Sequence, residues 1–222
     1  MRIRTLEQLI DRLDNDLAWR KKELSEIKKT VEARKDISEQ RHILFVRSAV
    51  CILYSHWEGF VKLAANSYLK YVREYVNINK LKSQELSTNF LAWVMKAKLN
   101  QANITNKPSL YVPICEFFIS ELNQRCSFPK DEISTLSNLS SDVLKDITDI
   151  LGLKFSLFST KCKLIDEKLL KTRNTIAHGE YLIFDRDEYM ELHQEIIVMM
   201  NTFKNEIDNA ATQENFKKHR SI

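Results

Sequence analysis

Residues 49–65 read AVCILYSHWEGFVKLAA, an apolar run that contains a single carboxylate, Glu58. Seven apolar residues in and around this run recur at the three- and four-residue spacing of one helix face. They are Ile43, Val46, Val50, Leu53, Trp57, Val61 and Ala64. The pattern predicts a central core helix over residues 37–77. Gly59 lies inside this helix, where glycine costs about 1 kcal/mol, so we expect another helix to pack closely against it.

The composition extends this expectation to the whole chain. Only 3 Gly and 3 Pro occur among 222 residues, and 44% of the residues are hydrophobic. Few turn-forming residues and ample apolar surface favour long helices around one core. We therefore predict an all-α helical bundle. Gly-rich phosphate loops of the P-loop and Rossmann types are excluded, because no two glycines lie near each other.

Charge and cysteine content limit the ligands that we expect. The net charge of +4 is a mild basic excess that does not identify a nucleic-acid binder by itself. The four cysteines are widely scattered and form no CxxC pair, which favours reduced core residues over a zinc site. No cofactor or metal is predicted. The lack of an apolar leader, and of any uncharged apolar run of about 18 residues, predicts a cytoplasmic protein without a membrane partner.

The remaining segments are arranged around the central helix. Residues 5–34 form an amphipathic helix that opens with a capping box at Thr5 and Gln8. Further helices are predicted at 84–100, 112–124, 141–151, 159–178 and 186–210. Residues 125–140 are expected to be a loop or a frayed connection. The chain is thus interpreted as one domain over 1–222, with the N-terminal helix at 1–34, the bundle at 37–210 and a frayed basic tail at 211–222.

A charged residue interrupts the apolar face of the helix predicted at 159–178. Cys162, Ile165, Leu169 and Ile176 fall on one stripe, and the position that completes it is Arg173. An unpaired buried charge costs several kcal/mol, of the order of 3–5 when a partner is missing. We therefore expect Arg173 to have a partner, or to meet a ligand anion.

His178 follows Arg173 by five residues, at the end of the same helix. Five residues turn an ideal helix by about 500°, so the two side chains point roughly 140° apart. Asn174 and His178 are four residues apart and share a face. Arg173 and His178 can meet only if the last turn unwinds at Gly179, or if two copies of the chain face each other across a two-fold axis.

Glu58 is the second break in an apolar pattern. It lies at the edge of the central stripe, beside Tyr54, Arg47 and Lys62. A partly buried Glu58 facing a partly buried Arg173 forms a physically sensible pair.

These residue types suit the cleavage of RNA without a metal. Attack of a 2′-hydroxyl on the adjacent phosphate needs a proton acceptor or donor, which histidine supplies near neutral pH. The fixed fork of arginine donors stabilises the crowded phosphorane. A structural interpretation stands beside this one, since His178 could be a helix cap and Arg173–Glu58 a structural pair. His56 is expected to make a packing or polar contact, and Trp19, Trp57 and Trp93 are expected to be core residues.

Three stretches carry a family resemblance. KTRNTIAHGEY (171–181) resembles the HEPN nuclease signature of Arg, a polar residue and a His four to six residues further on. MRIRTLEQLIDRLDNDLAWRKKEL (1–24) and LYSHWEGFVKLAANSYLKYV (53–72) resemble the bacterial MAE-type HEPN-like nuclease family. The resemblance covers most of the chain in order. It implies a helical bundle that dimerises, with the motifs of two protomers meeting in a composite ribonuclease site.

The resemblance also implies residue roles. Arg173 would stabilise or orient the phosphate, His178 would act as acid and base, and Asn174 would position the substrate or the histidine. Glu58 would orient Arg173, with Tyr54 and Arg47 in support. Lys171 and Lys62 would contact the RNA.

We therefore expect a metal-independent RNA endonuclease that acts as a toxin or as an anti-phage or stress effector. Because no fused sensor domain is recognisable, an antitoxin or regulator would be a separate protein. The alternative is a non-catalytic HEPN-type scaffold that binds a partner protein or a nucleotide. A DNA-binding regulator is a weaker option, because no helix-turn-helix signature is visible.

Overall fold

A computed structural model describes residues 2–33, 38–101, 109, 111–135 and 138–218. Seven α-helices occur in these ranges and no strands, so the predicted all-α class is confirmed. They are α1 (Leu6–Glu32), α2 (Glu39–Asn79), α3 (Thr88–Gln101), α4 (Tyr111–Glu116), α5 (Ser141–Leu151), α6 (Thr172–Ala177) and α7 (Arg186–Thr212). Over the described ranges, none of the helices combines the length and the apolar character of a membrane span.

The 41-residue helix α2 is the centre of the molecule. Six of the seven residues in the predicted stripe are buried, and Ile43 near the start of the helix is partly exposed. Helices α1 and α7 pack along α2 and against each other, and α6 and α5 also contact it. The core prediction made from the apolar spacing is therefore confirmed.

Helix α1 approaches α2 closely at Gly59, as expected. The guanidinium of Arg20 lies over this glycine, and a Cβ atom built there would be 2.9 Å from Arg20 Nη1. Arg20 is only 9% exposed, its Nε donates to Asp16 at 2.5 Å, and its Nη1 donates to the His56 carbonyl at 3.4 Å. The glycine thus makes room for a buried arginine rather than for an apolar residue.

One of the three tryptophans departs from the prediction. Trp57 and Trp93 are buried, whereas Trp19 is 48% exposed. The indole N–H of Trp19 donates to Asp16 at 3.1 Å, and its ring lies against the Arg20 guanidinium and the His56 ring. Trp19 therefore covers a polar cluster at the surface, so its assignment to the core was wrong.

The helix predicted at 159–178 is present, but it is not a regular α-helix throughout. A 3₁₀ turn at Ser159–Lys161 is followed by a π-helical segment, Leu164–Lys171, and then by the six-residue α6. The π-helix is wider than an α-helix, so the buried stripe of this segment shifts. Thr172 takes the buried position after Ile165 and Leu169, and Arg173 lies beside Thr172 and is partly exposed. The expectation that Arg173 completes the buried stripe was therefore wrong.

The described part of the predicted basic tail is docked on the bundle. Helix α7 extends to Thr212, and Phe216 is fully buried against Tyr71, Tyr75 and Phe90. Lys217 donates to Glu214 and to the Tyr75 hydroxyl, both at 2.6 Å. Residues 211–218 are thus not frayed, because burial of the Phe216 ring fixes them. Residues 219–222 lie outside the described residues.

Candidate functional site

Arg173 is held on α6 against two residues of α2. Its guanidinium carbon is 4.1 Å from the centre of the Tyr54 ring, and Nη2 is 3.8 Å from Glu58 Oε2. Its Nη1 donates to Asn174 Oδ1 at 2.7 Å. Tyr54 and Glu58 are one helical turn apart on α2, so they present one surface to the arginine. The structure therefore brings Arg173, Asn174, Glu58 and Tyr54 together.

Most of the donor capacity of Arg173 remains unused. A guanidinium carries five N–H groups, and among the described residues only one of them makes a hydrogen bond, to Asn174. The 3.8 Å separation from Glu58 is an ion pair that is too long for a hydrogen bond. The side chain is 23% exposed. A clamped, partly exposed arginine with free donors is suited to bind an anionic oxygen from solvent.

Glu58 is held in place by Thr135, a residue that no sequence pattern marks as functional. The Thr135 hydroxyl donates to Glu58 Oε1 at 2.6 Å, and Thr135 is 2% exposed. Because this oxygen is engaged, the other oxygen of Glu58 faces Arg173. Thr135 therefore sets the direction of the carboxylate that pairs with the arginine.

Tyr54 is fixed in the same way. Its hydroxyl accepts a hydrogen bond from the Leu139 amide at 2.7 Å. The pKa of Tyr54 is raised to about 12, chiefly by burial; the Leu139 amide and Arg173 act to lower this pKa, and the nearby Glu58 carboxylate acts to raise it. Tyr54 therefore stays protonated at neutral pH, and its ring serves as a platform for the guanidinium rather than as a base.

Thr135 and Leu139 belong to a segment that runs along α2, and we call residues 132–135 and 138–139 the strap. Its third anchor is Asn66, whose Nδ2 donates to the Ile133 carbonyl at 3.0 Å and whose Oδ1 accepts from the Ile133 amide at 2.8 Å. Residues 126–135 have no regular secondary structure, as predicted for this loop. The loop is nevertheless pinned to α2 at three points, so it is not frayed.

Arg47 supports the turn that follows α6. Its Nη2 donates to the Glu180 carbonyl at 2.9 Å. Gly179 has a φ of +79°, a conformation that favours glycine, and the Glu180 amide donates back to the Thr175 carbonyl at 3.1 Å. The turn after His178 is thus held by one side-chain and several backbone hydrogen bonds.

His178 lies at the C-terminal end of α6 and is exposed. Its amide donates to the Asn174 carbonyl at 2.9 Å, but its ring makes no hydrogen bond or ion pair with any described residue. The turn at Gly179 therefore does not bring the His178 ring into contact with Arg173 of the same chain. Lys171 and Lys62 are also exposed and lie outside the Arg173 cluster.

Cys51 and His56 lie near Tyr54 on α2 but outside the Arg173 cluster. Arg173 and Arg47 both lie close enough to Cys51 to lower the pKa of its thiol, although burial has the larger effect and raises it. His56 faces α1 rather than the site, and its Nε2 is 3.2 Å from Glu23. The expected polar contact of His56 is therefore confirmed. Within the described ranges, no group of three or more His, Cys, Asp or Glu side chains could hold a metal ion.

A family comparison agrees with the all-α fold. The family model described as HEPN_MAE_28990-like HEPN matches residues 9–216, nearly the whole chain. The chain belongs to this HEPN family. No curated protein and no solved structure matches it significantly. Membership of the HEPN family indicates a nuclease or nucleotide-related role, and the resemblance noted in the three sequence stretches is confirmed.

Sequence reasoning found the Arg173 and Glu58 pair but missed the strap. Arg173 and Glu58 each interrupted an apolar pattern, which is a visible signal. Thr135 and Leu139 lie in an irregular segment where no periodicity marks the buried positions. Asn66, which is 7% exposed, was the one available signal, because a polar residue stands at a buried position of α2.

Proposed function

We propose that this HEPN protein is a metal-independent RNA endonuclease in which Arg173, Asn174 and His178 carry the chemistry. The environment of Arg173 supports this proposal. Tyr54, Glu58 and Asn174 hold its guanidinium in place, yet four of its five N–H groups are unused among the described residues. A preorganised donor fork of this kind stabilises the charge that develops on phosphate oxygens in the transition state.

The proposed reaction is transfer of the phosphate to the neighbouring 2′-oxygen. The bond between the 2′-oxygen and phosphorus forms as the bond between phosphorus and the 5′-oxygen breaks. The His178 imidazole accepts the 2′-hydroxyl proton, and a water molecule donates a proton to the leaving 5′-oxygen. The products are a 2′,3′-cyclic phosphate and a 5′-hydroxyl. Arg173 neutralises the non-bridging oxygens, and Asn174 positions Arg173 or the substrate.

We further propose that the site is composed from two copies of the chain. His178 and Arg173 of one chain make no contact, so an arginine from one protomer and a histidine from the other would act together. Exposed apolar side chains near the site provide surface for such a homodimer. Leu44 is 61% exposed, Tyr181 is 76% exposed and Ile183 is 63% exposed. Arg47 on α2 holds Glu180, so these residues flank the turn after His178.

The biological role proposed with this chemistry is that of a cytoplasmic toxin or of an anti-phage or stress effector, regulated by a separate protein. Lys171 and Lys62 would assist the approach of RNA, since both are exposed cations. Because single-stranded RNA binding depends on phosphate contacts, the affinity would fall with salt.

Cleavage of RNA in EDTA by the wild type, His178→Ala and Arg173→Ala tests the chemistry. We expect both variants to lose about 10²-fold or more in kcat. His42→Ala and the exposed Arg41→Ala are controls of matched residue type and should cleave normally. Equal cleavage by wild type and His178→Ala would refute the assignment. A folded wild type that cleaves no RNA would instead favour the scaffold that binds a partner protein or nucleotide.

Mixing the two inactive variants tests the composite site. In a dimer with shared sites, a 1:1 mixture of Arg173→Ala and His178→Ala protomers should regain about a quarter of wild-type activity, because half of the dimers have one intact site of two. Copurification of differently tagged protomers from the mixture checks that the subunits exchange. No recovery after exchange would show that each site uses residues of one chain.

A further inference from the structure

A basic cavity lies beside the Arg173 cluster, between α1 and α2. Its volume is about 280 Å³, and four cationic side chains line it against one carboxylate. The cations are Arg12, Arg20, Lys62 and Lys70, and the carboxylate is Glu132. This excess of positive charge in a concave site favours an anionic ligand.

Two of the four cations form no ion pair with a described residue. Lys70 pairs with Glu132 at 2.7 Å, and Arg20 pairs with Asp16. Arg12 and Lys62 have no carboxylate within 4 Å among the described residues. Free cations that face one cavity repel each other, so a bound anion would relieve the repulsion.

Arg20 adds buried donors to the cavity. Its described hydrogen bonds use three N–H groups, two toward Asp16 and one toward the His56 carbonyl. A guanidinium has five, so two remain. Gly59 also lines the cavity and leaves the space that the guanidinium occupies. The site therefore contains a fixed, mostly buried donor as well as mobile lysines at its rim.

Lys62 connects this cavity with the Arg173 cluster. It follows Glu58 by four residues on α2, so it lies about 6 Å further along the helix and roughly 40° around it. Glu58 faces Arg173, whereas Lys62 lines the cavity. Lys62, which is exposed, therefore lies one turn beyond the carboxylate of the cluster and lines the cavity.

An exposed aromatic ring stands at the same place. Trp19 is 48% exposed, and it lines an adjoining depression that shares Arg12 and Leu63 with the basic cavity. Aromatic rings beside a basic groove are typical of proteins that bind single-stranded nucleic acid, because bases of any sequence stack on them. The ring favours a nucleic-acid strand over a small inorganic anion.

We propose that the cavity between α1 and α2 binds a backbone phosphate of the RNA strand that is cut at Arg173 and His178, with a neighbouring base on Trp19. This inference rests on the proposed function, since the ligand is the same strand. It assigns to Arg12, Arg20 and Trp19 a binding role that the motif alone does not suggest.

The salt dependence of RNA binding tests the proposal. A fluorescently labelled, unstructured RNA oligonucleotide is titrated with the full chain carrying His178→Ala, and anisotropy gives Kd at several salt concentrations. Removing one phosphate contact should lower the slope of log K against log salt by about 0.7 for a single strand. We expect this change for Lys62→Gln and for Arg12→Gln, and weaker binding for Trp19→Ala. Lys22→Gln, an exposed cation on α1 that lines no described cavity, is the matched control.

The outcomes separate this proposal from the nuclease assignment. The subsite would be overturned if the slope of log K against log salt were the same for Lys62→Gln and Arg12→Gln as for Lys22→Gln. This holds even if the wild type cleaves RNA. Altered slopes with a wild type that cannot cleave would support the subsite and refute the nuclease. A free mononucleotide that binds the cavity as tightly as the oligonucleotide would overturn the assignment to a strand. Absence of any RNA binding would overturn it as well.

Discussion

Replacing Thr135 with valine isolates the contribution of the strap to the site. Valine has nearly the shape of threonine but cannot donate the 2.6 Å hydrogen bond to Glu58 Oε1. A hydrogen bond to a charged group contributes about 1.5–3 kcal/mol to stability. Glu58 is 21% exposed, so water replaces part of this loss, and we expect about 1–2 kcal/mol. For a chain of this size, Tm should fall by about 2–8 °C.

Loss of this hydrogen bond should also slow catalysis. Without Thr135, Glu58 is free to rotate, and the carboxylate oxygen that faces Arg173 is no longer fixed. Misplacing a catalytic group by about 1 Å can cost 10²-fold in rate, and Tyr54 and Asn174 still hold the guanidinium. We therefore expect kcat to fall about tenfold with KM nearly unchanged.

Single-turnover cleavage of an RNA oligonucleotide in EDTA, well below Tm, measures this effect. Thr135→Ser keeps the hydroxyl and should restore most of the rate, which separates loss of the hydrogen bond from loss of packing. If Thr135→Val loses stability but cleaves as fast as Thr135→Ser, the strap only stabilises the fold and the positioning role is refuted.

Three further predictions concern folding. Gly59→Ala adds a Cβ atom 2.9 Å from Arg20 Nη1, and the displaced guanidinium should outweigh the gain of about 1 kcal/mol in helix propensity, lowering Tm by a few degrees. An unchanged or higher Tm would refute the close approach. Phe216→Ala should cost about 3–5 kcal/mol by urea unfolding, because the ring is fully buried, and a loss below about 1 kcal/mol would mean that the C-terminal segment is not docked. Burial lowers the pKa of His193, and the charge of Lys28 lowers it further. The unfolded state then binds more protons, so stability should be complete above about pH 7.5 and decline toward about pH 5.5. His193→Gln should flatten this decline, and an unchanged profile would exclude His193 as its source.

The sequence predicted the elements that are governed by regular spacing. The stripe on α2 located the core, because apolar periodicity reflects burial directly. Gly59 predicted a close helix contact, although not that the partner would be Arg20. The breaks at Arg173 and Glu58 predicted that a cation and a carboxylate would meet, and the structure places them 3.8 Å apart.

Other features depend on contacts that no local pattern encodes. Trp19 was assigned to the core from its helical spacing, but Asp16, Arg20 and His56 give its ring polar neighbours at the surface. The sequence of the strap has no periodicity, so its three anchoring contacts with α2 cannot be predicted from the strap itself. The docking of the C-terminal segment depends on Phe216. This single aromatic residue lies beyond residue 210, where the last helix was predicted to end.

The π-helical segment Leu164–Lys171 has a consequence for the register of the site. Such segments are rare, and they occur frequently at functional sites. A π-helical segment closes i→i+5 hydrogen bonds, so it turns the chain by less per residue than the 100° of an α-helix. Regular α-helical winding of the same residues would therefore present a residue other than Arg173 to Tyr54. The wide winding ahead of α6 thus helps to aim the motif, and Arg47 holds the turn beyond it at Glu180.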